Sequence, residues 1–228
     1  MRDAVLAGHR GDAEGAARLA GHDDPAVRAA ALAAIQRAGA LEADRLMAAL
    51  SDPAPVVRRR ACLLAGGVVR AGADTGAVGE ALGRVLSTDP DASVVESAAW
   101  ALGEAGASCG AVVVEALCAV ASGHADALCR EAAVAALGAI GDPAALDTVL
   151  GATGDVAAVR RRATIALAAF EGPRVHDALR ACLTDRDWQV RQAAEDLLGR
   201  DAPHPTGAGP EGEDTGGGDP GGVPPGSA

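Results

Sequence analysis

Among the groups in this 228-residue chain able to hold a metal, attack a substrate or bind phosphate are five histidines, five cysteines and two arginine triplets. Their spacing argues against each of these chemistries. None of His9, His22, His124, His176 and His204 is followed by Glu, so no paired His-Glu metal ligands exist. Cys62, Cys109, Cys118, Cys129 and Cys182 contain no C-x-x-C pair, the spacing that a zinc site or a redox dithiol needs, so free thiols are expected. His176 and Asp177 lie close to Arg174 and Arg180, a small polar cluster whose plainest reading is a solvated helix face. Arg58-Arg59-Arg60 and Arg160-Arg161-Arg162 are local cationic sites on a chain of net charge −11. Residues 200–228 supply −4 of that charge, Arg200 standing against Asp201, Glu211, Glu213, Asp214 and Asp219. The remaining body is still acidic. Nucleic acid is therefore a poor partner, because nonspecific affinity comes from neutralising phosphates, and two Trp and one Phe are too few for base stacking. Nothing in these groups calls for a catalytic residue, a cofactor or a metal.

The elements that carry these groups repeat. A Val column reads Val27, Val57, Val94, Cys129, Val159 and Val190, and four residues on the chain always has Ala: Ala31, Ala61, Ala98, Ala133, Ala163 and Ala194. Steps of 30 to 37 residues hold two helices and two turns per unit. In the fifth unit Val159, Ala163, Ala166 and Leu167 fall on one helical face, which predicts the core side. A small residue at the centre of that face predicts close helix packing, and Leu at position 98 or 133 would overpack it. Asp24-Pro25, Asp52-Pro53, Asp89-Pro90 and Asp142-Pro143 read as helix starts, and Gly141 as a helix end.

Next to the Val column stands Arg28, Arg58, Val95, Arg130, Arg160 and Arg191, with Asp52, Asp155 and Asp185 five or six residues ahead of their unit's Arg. Stacked units would line these groups along one seam, where guanidinium forks can bridge turn carboxylates of the same and the next repeat. The column is read as a structural ladder, broken at Val95. His22 and His124 occupy equivalent turn positions but lie three repeats apart, about 30 Å at a helix spacing of about 10 Å, too far to share a metal.

Segments such as 52–61, with Val57-Arg58 and Ala61, and 129–138, Cys129-Arg130 to Gly138, resemble the HEAT-repeat family, in particular the short bacterial HEAT-like repeats also found in phycobilin lyases. The resemblance covers residues 22–199. It implies an all-α, right-handed solenoid of about six helix pairs, with second helices lining a groove. Arg45, Glu80, Arg84, Glu115, Asp147, Arg174, His176 and Arg180 are the polar positions on those helices, and their mixed charge suits an extended peptide or a partner helix. Iron hydroxylases of the deoxyhypusine type in this family use His-Glu ligands that are missing here. Alkylpurine DNA glycosylases of HEAT-like fold use a basic face with aromatics, also missing.

Six residues after the Val column, Leu63, Trp100 and Ile165 break a commonly polar position. They form either an exposed apolar strip on the outer helix layer, with Trp100 as contact residue, or a patch buried under the longer segments around 66–76 and 103–110. The function expected is a noncatalytic scaffold or adaptor that binds a protein or peptide. A bilin-lyase-like chaperone or accessory protein is the alternative, and a HEAT-like DNA-binding or repair protein a more distant one.

Three regions are expected: 1–21 as N-terminal capping helices, 22–199 as the solenoid, and 200–228 as a disordered tail rich in Gly, Pro and acid. The start has too short an apolar run for a signal peptide, and no later stretch reaches membrane-spanning length. A soluble, cytoplasmic monomer is expected.

Overall fold

The computed structural model describes residues 2–70, 75–106 and 110–200. Cys109 and the tail at 201–228, for which a turn and disorder were read above, lie outside the described residues. The helices are α1 (Arg2–Arg10), α2 (Ala13–Leu19), α3 (Pro25–Arg37), α4 (Ala43–Leu50), α5 (Pro55–Arg70), α6 (Thr75–Thr88), α7 (Ala92–Ala105), α8 (Ala111–Gly123), α9 (Ala127–Ile140), α10 (Leu146–Ala152), α11 (Ala157–Ala166), α12 (Pro173–Cys182) and α13 (Trp188–Arg200). Short 3-10 turns, Pro143–Ala145 and Leu167–Ala169, lead into α10 and extend α11. Among the described residues the helices pair in chain order into an all-α solenoid whose last helix is α13. Odd-numbered helices stack on one another in one layer, and even-numbered helices from α4 to α10 in the other. The α1–α2 pair packs onto α3 as a further, shorter unit at the N-terminal end.

The repeated columns are the spine of the core. Every member of the Val column is at most 4% exposed, and every member of the Ala column is fully buried. Leu32, Leu46, Leu82, Leu102, Leu117, Leu137 and Leu167 fill the space between the layers. Each unit thus buries its apolar stripe against its own pair and the next, as a stacked array must.

Helix starts follow the chemistry of exposed backbone N–H groups. Asp24 accepts from the Ala26 N–H at 2.8 Å, Asp126 from Leu128 at 2.9 Å and Asp142 from Ala144 at 2.9 Å. Gly141 ends α9 at φ 68°, a left-handed conformation that favours glycine. Two of the Asp-Pro readings are corrected. Asp52 and Asp89 stand two residues too early to cap: α5 begins at Pro55, and α7 is capped by Asp91, which accepts from Ser93 N–H at 3.0 Å. Those two carboxylates are used elsewhere, by arginines of the preceding repeat.

Candidate functional site

Each paired arginine serves two repeats. Arg58 donates from Nε and Nη2 to both oxygens of Asp89 at 2.7 and 2.8 Å, while its Nη1 donates to the Asp52 and Pro53 carbonyls at 2.9 and 3.1 Å. Arg28 holds Asp52, Arg130 holds Asp155 and Arg160 holds Asp185 in the same bidentate way, each at 2.7–2.9 Å. Arg191 donates to the Asp185 carbonyl at 2.7 Å. The carboxylate bridge therefore runs to the next repeat, and the turn of the arginine's own repeat contributes carbonyls; the own-repeat carboxylate bridge allowed above does not form.

Burial and partners set the acidity of these carboxyls. Hydrogen bonding to Arg28 holds Asp52 below the ordinary carboxylate value, against some burial; Arg130 and Arg160 do the same to Asp155 and Asp185. At Asp89, 4% exposed in its side chain, burial pushes the carboxyl up, but Arg58 and the Asp91 N–H outweigh it and leave it low. All of these groups are engaged with one another, so the seam binds repeats together and presents no open site.

The break at Val95 is matched one repeat on. His124 stands where Asp52, Asp89 and Asp185 stand in their units, and no arginine reaches it from α7. Its Nδ1 accepts from the Asp126 N–H at 3.1 Å, the turn-closing bond that Asp89 makes to the Asp91 N–H at 3.0 Å. His22 accepts from the Asp24 N–H at 2.9 Å in the same manner. Both histidines are turn residues. Among the described residues no group of three or more His, Cys, Asp or Glu is placed to hold a metal.

A second register, not read from the sequence, sets where the molecule is hollow. Nine residues after the Val column come Gly66, Gly103 and Gly138, and seven after it come Ala101, Ala136 and Ala166. A Cβ on each glycine would lie 3.2, 3.0 and 2.9 Å from the Cα of the next repeat's alanine. The first helices α5, α7, α9 and α11 thus meet almost backbone to backbone. The second helices approach one another less closely, with side chains such as Val113 between Gly83 of α6 and α8. Drawing one layer together bends the stack toward that layer.

A hollow of about 580 Å³ accordingly lies on the first-helix layer, over α7 and α9 and flanked by α5 and α11. Leu63, Trp100 and Leu128 form its apolar walls, Ala132, Ala135, Ala136 and Ala139 its floor, and Arg59, Glu96, Glu131 and Arg162 its rim. A shallower hollow shares Ala135, Ala139 and Arg162 with it, and a third, with Arg161 and Trp188, shares Ile165 with the second. Together they make one groove from α5 to α13. Trp100 is 46% exposed, Ile165 40%, Leu128 57% and Trp188 64%.

The sequence reading places the groove on the second helices and the Leu63–Trp100–Ile165 strip outside it; in the structure the strip lines the hollows of the first-helix layer. The strip is in the groove. None of Arg45, Glu80, Arg84, Glu115, Asp147, Arg174, His176 and Arg180 lines it. Arg174 pairs with Asp147 at 2.8 Å and Arg180 with Asp177 at 3.6 Å, all well exposed on the opposite layer. Asp147 borders a separate hollow of about 410 Å³ on the second-helix layer, between α8 and α10. Burial of the strip under the longer inter-helix segments is also excluded for Trp100 and Ile165; among the described residues those two units have the longer second helices, 14 residues in α6 and 13 in α8 against 8 in α4 and 7 in α10. The signal that sequence reading missed was the Gly column facing the Ala column.

The sequence model of the family described as HEAT repeats matches residues 79–164 and again 114–199, more than half of the chain. With a solenoid of paired helices and the repeated Val-Arg register, the chain belongs to the HEAT-repeat family. YibA of Escherichia coli has a similar fold, at 19% identity and a TM-score of 0.61 over 81% of this chain and 69% of YibA. An engineered protein is similar at 20% identity and 0.59, over 82% of this chain and 97% of its own. A designed armadillo repeat protein in complex with the peptide (KR)4 is similar at 16% identity and 0.60, over 82% and 98%. No curated protein sequence matches the chain. At these identities the likeness extends to the fold alone. No helix among the described residues is long and apolar enough to cross a membrane.

Proposed function

We propose that this HEAT-repeat protein is a noncatalytic scaffold that binds another protein in the groove of its first-helix layer. The observation that carries the reading is the continuous groove itself, with two half-exposed tryptophans, a floor of Ala and a charged rim. Covering the exposed half of Trp100 removes on the order of 100 Å² of surface from water, about 2–3 kcal/mol of binding free energy. Few polar groups converge in the groove as a small substrate needs, and the walls are open rather than enclosing. A protein of similar fold, the designed armadillo repeat protein, is in complex with a peptide, which supports a solenoid of this shape as a peptide platform. Free Cys62, Cys118, Cys129 and Cys182 are in keeping with the reducing cytoplasm as its compartment.

Photo-cross-linking locates the surface. A photoreactive residue at Ala135 on the groove floor and another at Thr148 on the second-helix layer are introduced separately and illuminated in the native cell. A discrete protein adduct is expected from position 135, weakened by Trp100→Ala, and none from position 148. Adducts from position 148 alone would move the binding surface to the second helices; a coloured or nucleic-acid adduct would remove the scaffold reading.

A further inference from the structure

Resting on that scaffold reading, we infer that the occupant of the groove is an amphipathic α-helix, acidic toward both ends of its contact and basic in the middle, rather than an extended strand. The floor decides the first part. It is built of Ala132, Ala135, Ala136 and Ala139, all on α9, a helix whose backbone groups are consumed internally, and Ser97 of α7 already donates its hydroxyl to the Ser93 carbonyl at 2.8 Å. The chain has no Asn, and its Gln residues nearest the groove, Gln189 and Gln192, sit at the α13 end. An extended peptide laid on this floor would find side-chain partners only at the charged rim and Trp100, and its N–H and C=O groups over the alanines would go unpaired, at about 1–3 kcal/mol for each buried one. A helix satisfies its own backbone and presents only side chains, and a floor of methyl groups lets it approach closely.

The rim decides the charge order. Arg59 stands on α5, Glu96 and Glu104 on α7, Glu131 on α9 and Arg161 with Arg162 on α11, so over α5 to α11 the sign runs positive, negative, negative, positive, with Asp196 of α13 beyond that stretch. The Arg162–Glu131 contact, 3.4 Å and partly exposed, is a weak pair that a ligand charge can displace. Three steps of about 8 Å separate the outer arginines, about 24 Å, which is about sixteen residues of helix. The complementary helix carries Asp or Glu about four turns apart, Lys or Arg between them, and an apolar stripe that meets Leu63, Trp100 and Leu128. A second copy of this chain laid face to face with α5 over α11 would oppose arginine to arginine.

Two displayed libraries of equal length test this on the immobilised full chain: one randomises the face of a disulfide-stapled helix of about 22 residues, the other is linear and unconstrained. Enrichment of helical clones with acidic ends and a basic centre is expected, with at least tenfold weaker binding to Trp100→Ala and partial recovery on Trp100→Phe. Circular dichroism of both variants separates loss of contact from loss of fold. Enrichment of linear clones with Pro or Gly within the contact would overturn the helical occupant and leave the scaffold standing. Helical clones with the opposite charge order would overturn the charge assignment. Failure of both libraries to yield any clone sensitive to Trp100 would overturn the helix and the groove as a binding surface together; a dimer in sedimentation in that case makes a second copy the occupant.

Discussion

Ala166 of α11 sits so close to Gly138 of α9 that a Cβ at position 138 would lie 2.9 Å from its Cα and 2.7 Å from its Cβ. Backbone cannot yield to such a contact as the end of a flexible side chain can. Ala ordinarily stabilises a helix over Gly by about 0.5–1 kcal/mol, but here the seam must open. Gly138→Ala is expected to destabilise by about 1–2 kcal/mol net, overpacking outweighing propensity. Gly79→Ala in α6, where nothing lies within 4 Å of the added carbon, is expected to stabilise by about 0.5 kcal/mol. Urea midpoints of the two variants give opposite signs if the seam is as tight as described, and the same sign if it is not.

The ladder predicts energetic coupling between repeats. In a double-mutant cycle Arg58→Met and Asp89→Asn should show a coupling of about 2 kcal/mol, as charge-assisted bidentate bonds at low exposure do. The gap offers the converse measurement. Val95→Arg alone replaces a buried Val, 1% exposed, and has no carboxylate to meet; His124→Asp alone keeps the turn bond to the Asp126 N–H and has no guanidinium. Together they should complete the missing rung, so the double variant is expected to be more stable than the sum of the singles by about 1–2 kcal/mol. Strict additivity would show that α7 and the turn before α9 cannot reach each other.

Acid should loosen the seam. Asp52, Asp89, Asp155 and Asp185 are held below their ordinary value of 3.8, so unfolding in acid takes up protons. Their contribution is complete above the ordinary carboxylate range and is lost as pH falls through the lower folded values. The urea midpoint of the wild type should fall from about pH 4 downward. Asp89→Asn, which has no such proton to take up, should show a shallower fall; parallel curves would mean that Asp89 does not report the seam.

Thiol chemistry should track the fold. Cys62 and Cys129 are buried, and burial pushes their thiols up to about 12 and about 11. At pH 8 iodoacetamide should leave both unmodified in the native protein and label them in urea, as mass spectrometry of tryptic peptides would show. Labelling of Cys62 under native conditions would reveal opening between α5 and its neighbours.

Composition and periodicity alone determined the class of this protein. A Val and an Ala four residues apart, an Arg beside the Val, and Asp-rich turns recurring every 30 to 37 residues define paired helices that can bury their stripes only by stacking, and the buried columns are those residues. Local rules suffice there, because each unit touches only its neighbours. What only the tertiary structure decided is long-range in one dimension: which repeat an arginine bridges to, why His124 accompanies Val95, and which layer is drawn together. The glycines at 66, 103 and 138 look, one helix at a time, like weak points in a helix; their role exists only against the alanines of the next repeat. Curvature is the accumulated difference between two layers' packing distances. No single helix carries that difference, so the groove and the place of Trp100 within it became legible only once the helices were side by side.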